Sequence, residues 1–223
     1  MKNAKTFIVM IAGATLLNAC ATTSTYQGVF VPKEYVDRFE PGPEGGVKLR
    51  WIKEGVDFAK YKKVMVDYVV FALAPDSEYK GINGDEMKKL ADTASLAFVN
   101  AFQEKKIPVV SEPGPDVMRI RSAIVDLKQS RPVVSVVTTV IPVGLGISLV
   151  TKGATGEWTG SGLTKAEMIS LDSMTNEVIA AGYDEYSAKF TERYTKWGSV
   201  EEAFHHWGDV MIRAYANLTG VKE

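Results

Sequence analysis

Few residues in this chain are of the types that do chemistry at neutral pH. There is one cysteine, Cys20, and two histidines, His205 and His206. A lone thiol excludes an intramolecular disulfide, a thiolate zinc cage and a Cys-x-x-Cys redox pair. Adjacent helical residues point about 100° apart, so His205 and His206 share no face. A helical metal pair needs a spacing of three or four, which Glu202 and His206 have. A solvated helix face beside Trp207 accounts for them without a metal. The carboxylates Glu167, Asp172, Asp184 and Glu185 belong to one expected hairpin and its immediate flank. They would act as acid and base only if they clustered with split pKa values. On strand edges, charged side chains also serve simply to deter edge pairing. Gly160-Ser161-Gly162 lacks the lysine and the helix of a phosphate loop. This inventory points to a non-enzymatic protein with no cofactor and no metal.

The chain begins with a basic segment, Met1, Lys2 and Lys5, followed by an uncharged apolar run from Phe7 to Leu17. A spanning helix needs about 20 residues, so this run is too short to be one. A basic start, an apolar run and small residues at a cleavage point make the layout of a secretory signal. At that point stands Leu17-Asn18-Ala19-Cys20, which resembles a bacterial lipobox. The resemblance implies that residues 1–19 are removed, that Cys20 carries a diacylglycerol, and that its freed amino group is open to acylation. Two or three acyl chains would hold the protein to a membrane stably, whereas one is marginal. Ala21 rather than Asp follows the cysteine; by resemblance to the sorting rule of two-membrane envelopes, that favours the outer membrane, with the body facing the periplasm.

The elements that must position these residues come from the rest of the chain. Its 223 residues suit one domain, and 46% hydrophobic with 24% charged residues is globular composition. The net charge is −1; losing Lys2 and Lys5 leaves 24 basic and 27 acidic residues, a net of −3. Such a balance gives no overall basic surface for nucleic acid and none for anionic lipid. Ala21 to Thr25 has the composition of a flexible tether. Tyr26 to Glu40 reads as a loosely structured arm laid on the domain, before the breakers Pro41-Gly42-Pro43-Glu44-Gly45-Gly46. Residues 20–48 are thus anchor, tether and arm, and residues 49–223 a single domain.

Within that domain, Val64 to Leu73 is short, β-branched and almost wholly apolar, the pattern of a strand covered on both faces. Met87, Leu90, Ala94, Ala97, Phe98, Ala101 and Phe102 form one stripe of a helix over about 85–105. Ile107 to Ser111 and Val117 to Leu127 follow as strands, giving a βαβ-like unit. Leu163 to Leu171 and Val178 to Tyr183 form a hairpin across Asp172 to Glu177. Ser199 and Glu202 have capping-box spacing for a last helix over about 199–218. The expected fold is α/β in the broad sense (α+β): a mixed sheet packed with a central and a C-terminal helix.

The stretch from Pro132 to Thr151 runs twenty residues without a charge, and twelve are Val, Ile or Thr. Its candidate contact residues are Val136, Val140, Pro142, Leu145, Ile147 and Leu149. Three readings stand open: a strand or hairpin of the core, an exposed segment meeting a partner protein, another copy or the lipid surface, or a transmembrane helix. Pro142, Gly144, Gly146 and the β-branched content oppose the last.

Several segments in order resemble the bacterial lipoproteins called domain of unknown function 3313. They are Asp57 to Asp67, the Ala-rich helix ending Ala101-Phe102, Pro113 to Val117, Ala123 to Leu127, and Ala166-Glu167-Met168 with Asp172 to Ala181. Two positions depart: Tyr68 stands where the family pattern leads one to expect Pro, and Asn176 where it leads one to expect Gly. Asn tolerates positive φ, so the turn is expected to survive. The resemblance implies a location and a fold, and carries no chemistry. The expectation is an envelope lipoprotein that binds or scaffolds. The alternatives are an oligomeric, secretion-type or membrane-associated component using residues 132–151, or a carboxylate-based envelope hydrolase.

Overall fold

A computed structural model describes residues 26–75, 82–127, 163–187 and 197–221. Among these, seven strands form one mixed sheet. β1 (Glu40–Pro41), β2 (Leu49–Ile52), β7 (Val178–Ser187), β6 (Leu163–Asp172) and β5 (Val117–Leu127) pair in that order, all antiparallel. β3 (Lys63–Val66) and β4 (Val70–Phe71) run parallel to β5 along its other side. The helix α2 (Gly84–Glu104) connects them to β5, so the expected strand–helix–strand unit is present. The last helix, α3, spans Gly198–Thr219. A single short turn of helix, α1 (Lys33–Val36), lies in the arm.

The sheet has two different faces. On one, α2 and α3 pack over Met118, Ile120, Ile124, Ala166 and Met168, with Phe98, Phe102, Phe204 and Trp207 fully buried between them. Gly208 lets the helices approach: a Cβ there would lie 3.1 Å from Ala101 Cβ. On the other face, Trp51, Ile169, Leu171 and Ala181 pack against Val31 and Val36 of the arm. Strand side chains alternate between faces, so each odd–even step along β6 and β7 decides which layer a residue serves.

The expected single strand over 64–73 is two strands at the sheet margin, broken at Asp67–Val69. Polar demands break it. Asp67 turns its carboxylate to Arg119 and Arg121, and the Val69 N–H leaves the ladder to donate to Ser95 Oγ on α2 at 3.0 Å. The expected strand over 107–111 is a single bridge, Val64 with Val109. Helix α3 starts at Gly198 with Trp197 at its N-cap and no side-chain cap, so Ser199 lies within the first turn and not at the N-cap position expected of it. A complete box instead opens α2, where Asn83 and Glu86 exchange hydrogen bonds. The β6–β7 turn keeps its shape with Asn176 at φ 56°.

Candidate functional site

Glu167, Asp172 and Asp184 do not cluster, while Glu185 shares the face of Glu167. Pairing of Glu167 with Tyr183, and of Ala166 with Asp184, puts Glu167 and Asp184 on opposite faces of the sheet. Asp172 lies at the far end of β6. Each makes its own set of structural bonds.

Glu167 is fully buried beneath the arm. It accepts hydrogen bonds from the N–H groups of Val29 (2.7 Å), Phe30 (2.8 Å) and Val31, and from the Tyr26 hydroxyl. Successive N–H groups converging on a carboxylate form an anion nest. The nest is shaped by Gly28 at φ +59°, where a Cβ would come within 2.6 Å of Val36 Cγ2. The Tyr26 ring also stacks on Tyr183, centroids 3.9 Å apart. Burial and then the hydrogen bond to Glu167 raise the Tyr26 phenol well above its usual range. The arm is therefore docked, with Val31 and Val36 buried, rather than loosely laid on the domain.

Asp184 is buried on the helix face. It accepts from Trp207 Nε1 at 2.9 Å and the Lys48 N–H at 3.0 Å, and His206 Nε2 lies 3.3 Å away. It thus joins β7, α3 and the β1–β2 loop. His206 faces Asp184 and Tyr186, while His205 and Glu202 are exposed. Among the described residues no group of three His, Cys, Asp or Glu could hold a metal. Glu185 pairs with Lys48 and accepts from the Tyr183 hydroxyl.

Asp172 closes the β6–β7 turn, accepting from the Met174 and Thr175 N–H groups, both at 3.0 Å. It also accepts from Lys60 Nζ (2.8 Å) and the Tyr61 hydroxyl (2.9 Å). Burial alone would raise this carboxyl, but Lys60, the two N–H groups and Tyr61 together hold it below the ordinary carboxylate range. Burial, with Asp172 beside it, pushes the Tyr61 phenol up to about 12.

Of the concave regions, one is mainly apolar; another, polar and wider, is lined by Asp67, Arg119, Ser173 and Asn176. The apolar cavity, of about 290 Å³, opens between α3 and the β2–β7 part of the sheet. Its walls include Ile52, Met118, Met168, Gly182, Met211 and Leu218, with Arg50, Arg213 and Glu44 also lining it. Arg213 fastens the rim by donating from Nε (3.0 Å) and Nη2 (2.8 Å) to the Gly45 carbonyl.

Sequence reasoning had singled out none of Tyr26, Lys60, Tyr61, Arg50 or Arg213. The arm contacts cross more than 130 residues of chain, a separation that leaves no local spacing to read. The Asp172 turn did carry a local signal, an Asp preceding Ser-Met-Thr-Asn, since Asp side chains accept from N–H groups two and three residues on.

The family model described as "Protein of unknown function (DUF3313)" matches residues 25–211. The chain belongs to this family. No curated protein matches the chain. Among solved structures, this DUF3313 member is similar to the PelC dodecamer from Paraburkholderia phytofirmans, at 10% identity over 78% of this chain and 98% of that one, with a TM-score of 0.41. It is also similar to a DUF4136 family protein from Bacteroides thetaiotaomicron, at 9% identity over 76% of this chain and 95% of that one, TM-score 0.36. Cys20 and the segment with Val136, Val140, Pro142, Leu145, Ile147 and Leu149 lie outside the described residues. No described helix is long and apolar enough to cross a membrane.

Proposed function

We propose that this DUF3313 protein is a lipid-anchored, non-enzymatic binding or scaffolding protein of the cell envelope, held at the outer membrane by Cys20 and facing the periplasm. The lipobox-like Leu17-Asn18-Ala19-Cys20 supports the anchor. The observation that carries the reading further is the seat of Tyr26 on Glu167 and Tyr183. Five residues, Ala21 to Thr25, separate Cys20 from Tyr26, and each of the six steps spans at most about 3.5 Å in an extended chain. The globular body is therefore held within roughly 20 Å of the lipid surface, close enough to present a binding face to the membrane. The use of Glu167 to hold the arm and of Asp172 to close the β6–β7 turn supports a structural part for these two carboxylates.

The test is fractionation of a Gram-negative host making the native chain and Cys20→Ala. The native protein is expected in outer-membrane fractions and the variant in the soluble extract. Equal distribution of the two would reject the anchor. A second reading, favoured by the uncharged run 132–151, is self-association or membrane-associated assembly through that segment. A native protein that stays strictly monomeric after detergent extraction would remove it.

A further inference from the structure

The two helices are narrower than the sheet they cover. α2 packs against β3 and β4, and α3 against β6 and β7. The β2 end of that face is bordered instead by α3 on one side and the loop Pro43–Val47 on the other. The 290 Å³ cavity lies there, at the lower end of the ~300–1,000 Å³ typical of small-ligand sites. We propose that this cleft binds an anionic amphiphile, with its hydrocarbon tail between helix and strands and its acidic head at Arg50 and Arg213. The proposal names the ligand for the binding role put forward above and rests on that reading.

Three features support it. The lining holds Met118, Met168 and Met211, and thioether side chains adapt to flexible apolar chains. Gly182 keeps the floor low and the loop close: a Cβ there would sit 3.3 Å from Val47 Cγ2. The third feature is charge at the lining. The Arg50 side chain makes no hydrogen bond or ion pair among the described residues, and the Arg213 guanidinium spends only Nε and Nη2, on the Gly45 carbonyl. With Glu44 the lining carries two cations and one anion. Guanidinium groups match carboxylate and phosphate oxygens in a planar, two-bond geometry. The same head chemistry comes from a free fatty acid or from a phosphate-headed lysolipid.

The experiment is photo-labelling of the full chain with three probes sharing one diazirine-bearing sixteen-carbon tail. One ends in a carboxylate, one in a glycerophosphate and one in trimethylammonium. Labelling is expected on peptides of α3 and β7, competed by plain palmitate, and stronger for an acidic head than for the cationic one. Whichever acidic head labels more strongly identifies the source. Ala214→Phe, at an exposed position on the cleft wall, should abolish the labelling with an unchanged unfolding midpoint. Arg50→Gln should weaken acidic-probe labelling roughly tenfold, the loss of one charged hydrogen-bond pair, and leave the cationic probe unaffected. Labelling outside the cleft, indifference to Ala214→Phe, or equal labelling by the cationic probe would overturn the proposal. Repeating the labelling on Cys20→Ala separates the two ideas. Cleft labelling that persists there stands whether or not the anchor does, and its loss from both forms leaves the anchor untouched.

Discussion

Glu167 is the residue on which the arm depends. Its carboxylate is enclosed by three N–H groups and a phenol, and a buried donor left without an acceptor costs about 1–3 kcal/mol. Glu167→Ala is expected to lose about 3 kcal/mol in urea unfolding, and to expose residues 26–40 to limited proteolysis, because the arm can lift to rehydrate its N–H groups. Glu167→Gln keeps one acceptor oxygen and should lose less. Asp172 governs the acid limb of stability. Its pKa is depressed in the folded protein, so the unfolded chain binds the proton more readily as acidity rises. The stability it contributes is complete above the unfolded value of about 3.9 and is lost as pH falls below it toward the lower folded value. Asp172→Asn should be less stable than the native protein at pH 7, and the difference should shrink as the pH is lowered. The turn partners of Asp172 lie two and three residues on and are legible locally, but its bonds to Lys60 and Tyr61 and all the partners of Glu167 are too distant in the chain to be read from spacing. Glu167 reads in sequence as one more strand carboxylate, and only the tertiary pairing of residues 26–31 with β6 reveals its use.

At the scale of elements, the strongly periodic segments were legible and the exceptions have identifiable causes. α2, β5 and the β6–β7 hairpin follow their apolar patterns within a residue or so, apart from β7, which runs on to Ser187. The run 64–73 misled because apolar continuity cannot register a side chain that calls its neighbours out of the ladder. Asp67 and the Val69–Ser95 bond do so here. Spacing places a capping box at Ser199, whereas the complete box stands at Asn83 and α3 is capped at Trp197, since a box needs its backbone to turn at the right residue as well as the right spacing. Asn176 tests the turn. At φ 56° it also accepts from Arg119 Nη1 at 3.1 Å. Asn176→Gly should be nearly neutral, losing an exposed bond and gaining ease at positive φ. Asn176→Val should cost about 1–2 kcal/mol, the penalty of a left-handed β-branched residue, read from the thermal or urea midpoint.

At the scale of the molecule, the sheet divides the labour. Its helix face makes the main core and leaves an apolar cleft at the β2 end; its other face receives the arm. The mixed sheet with two long helices was foreseeable from composition and periodicity. The docking of the arm was not, because Tyr26 to Glu40 carries no sustained period and its seat on the sheet combines scattered apolar contacts with one buried carboxylate. Under the proposed anchoring at Cys20, that docking limits the distance of the body from the lipid to the reach of residues 20–26. The central claim is that Cys20 becomes the acylated first residue of the mature protein. Intact-mass spectrometry of the protein extracted from membranes tests it directly. The account predicts a chain beginning at Cys20 and carrying a diacylglyceryl group. A chain that retains residues 1–19, or one with a free thiol at Cys20, would contradict it.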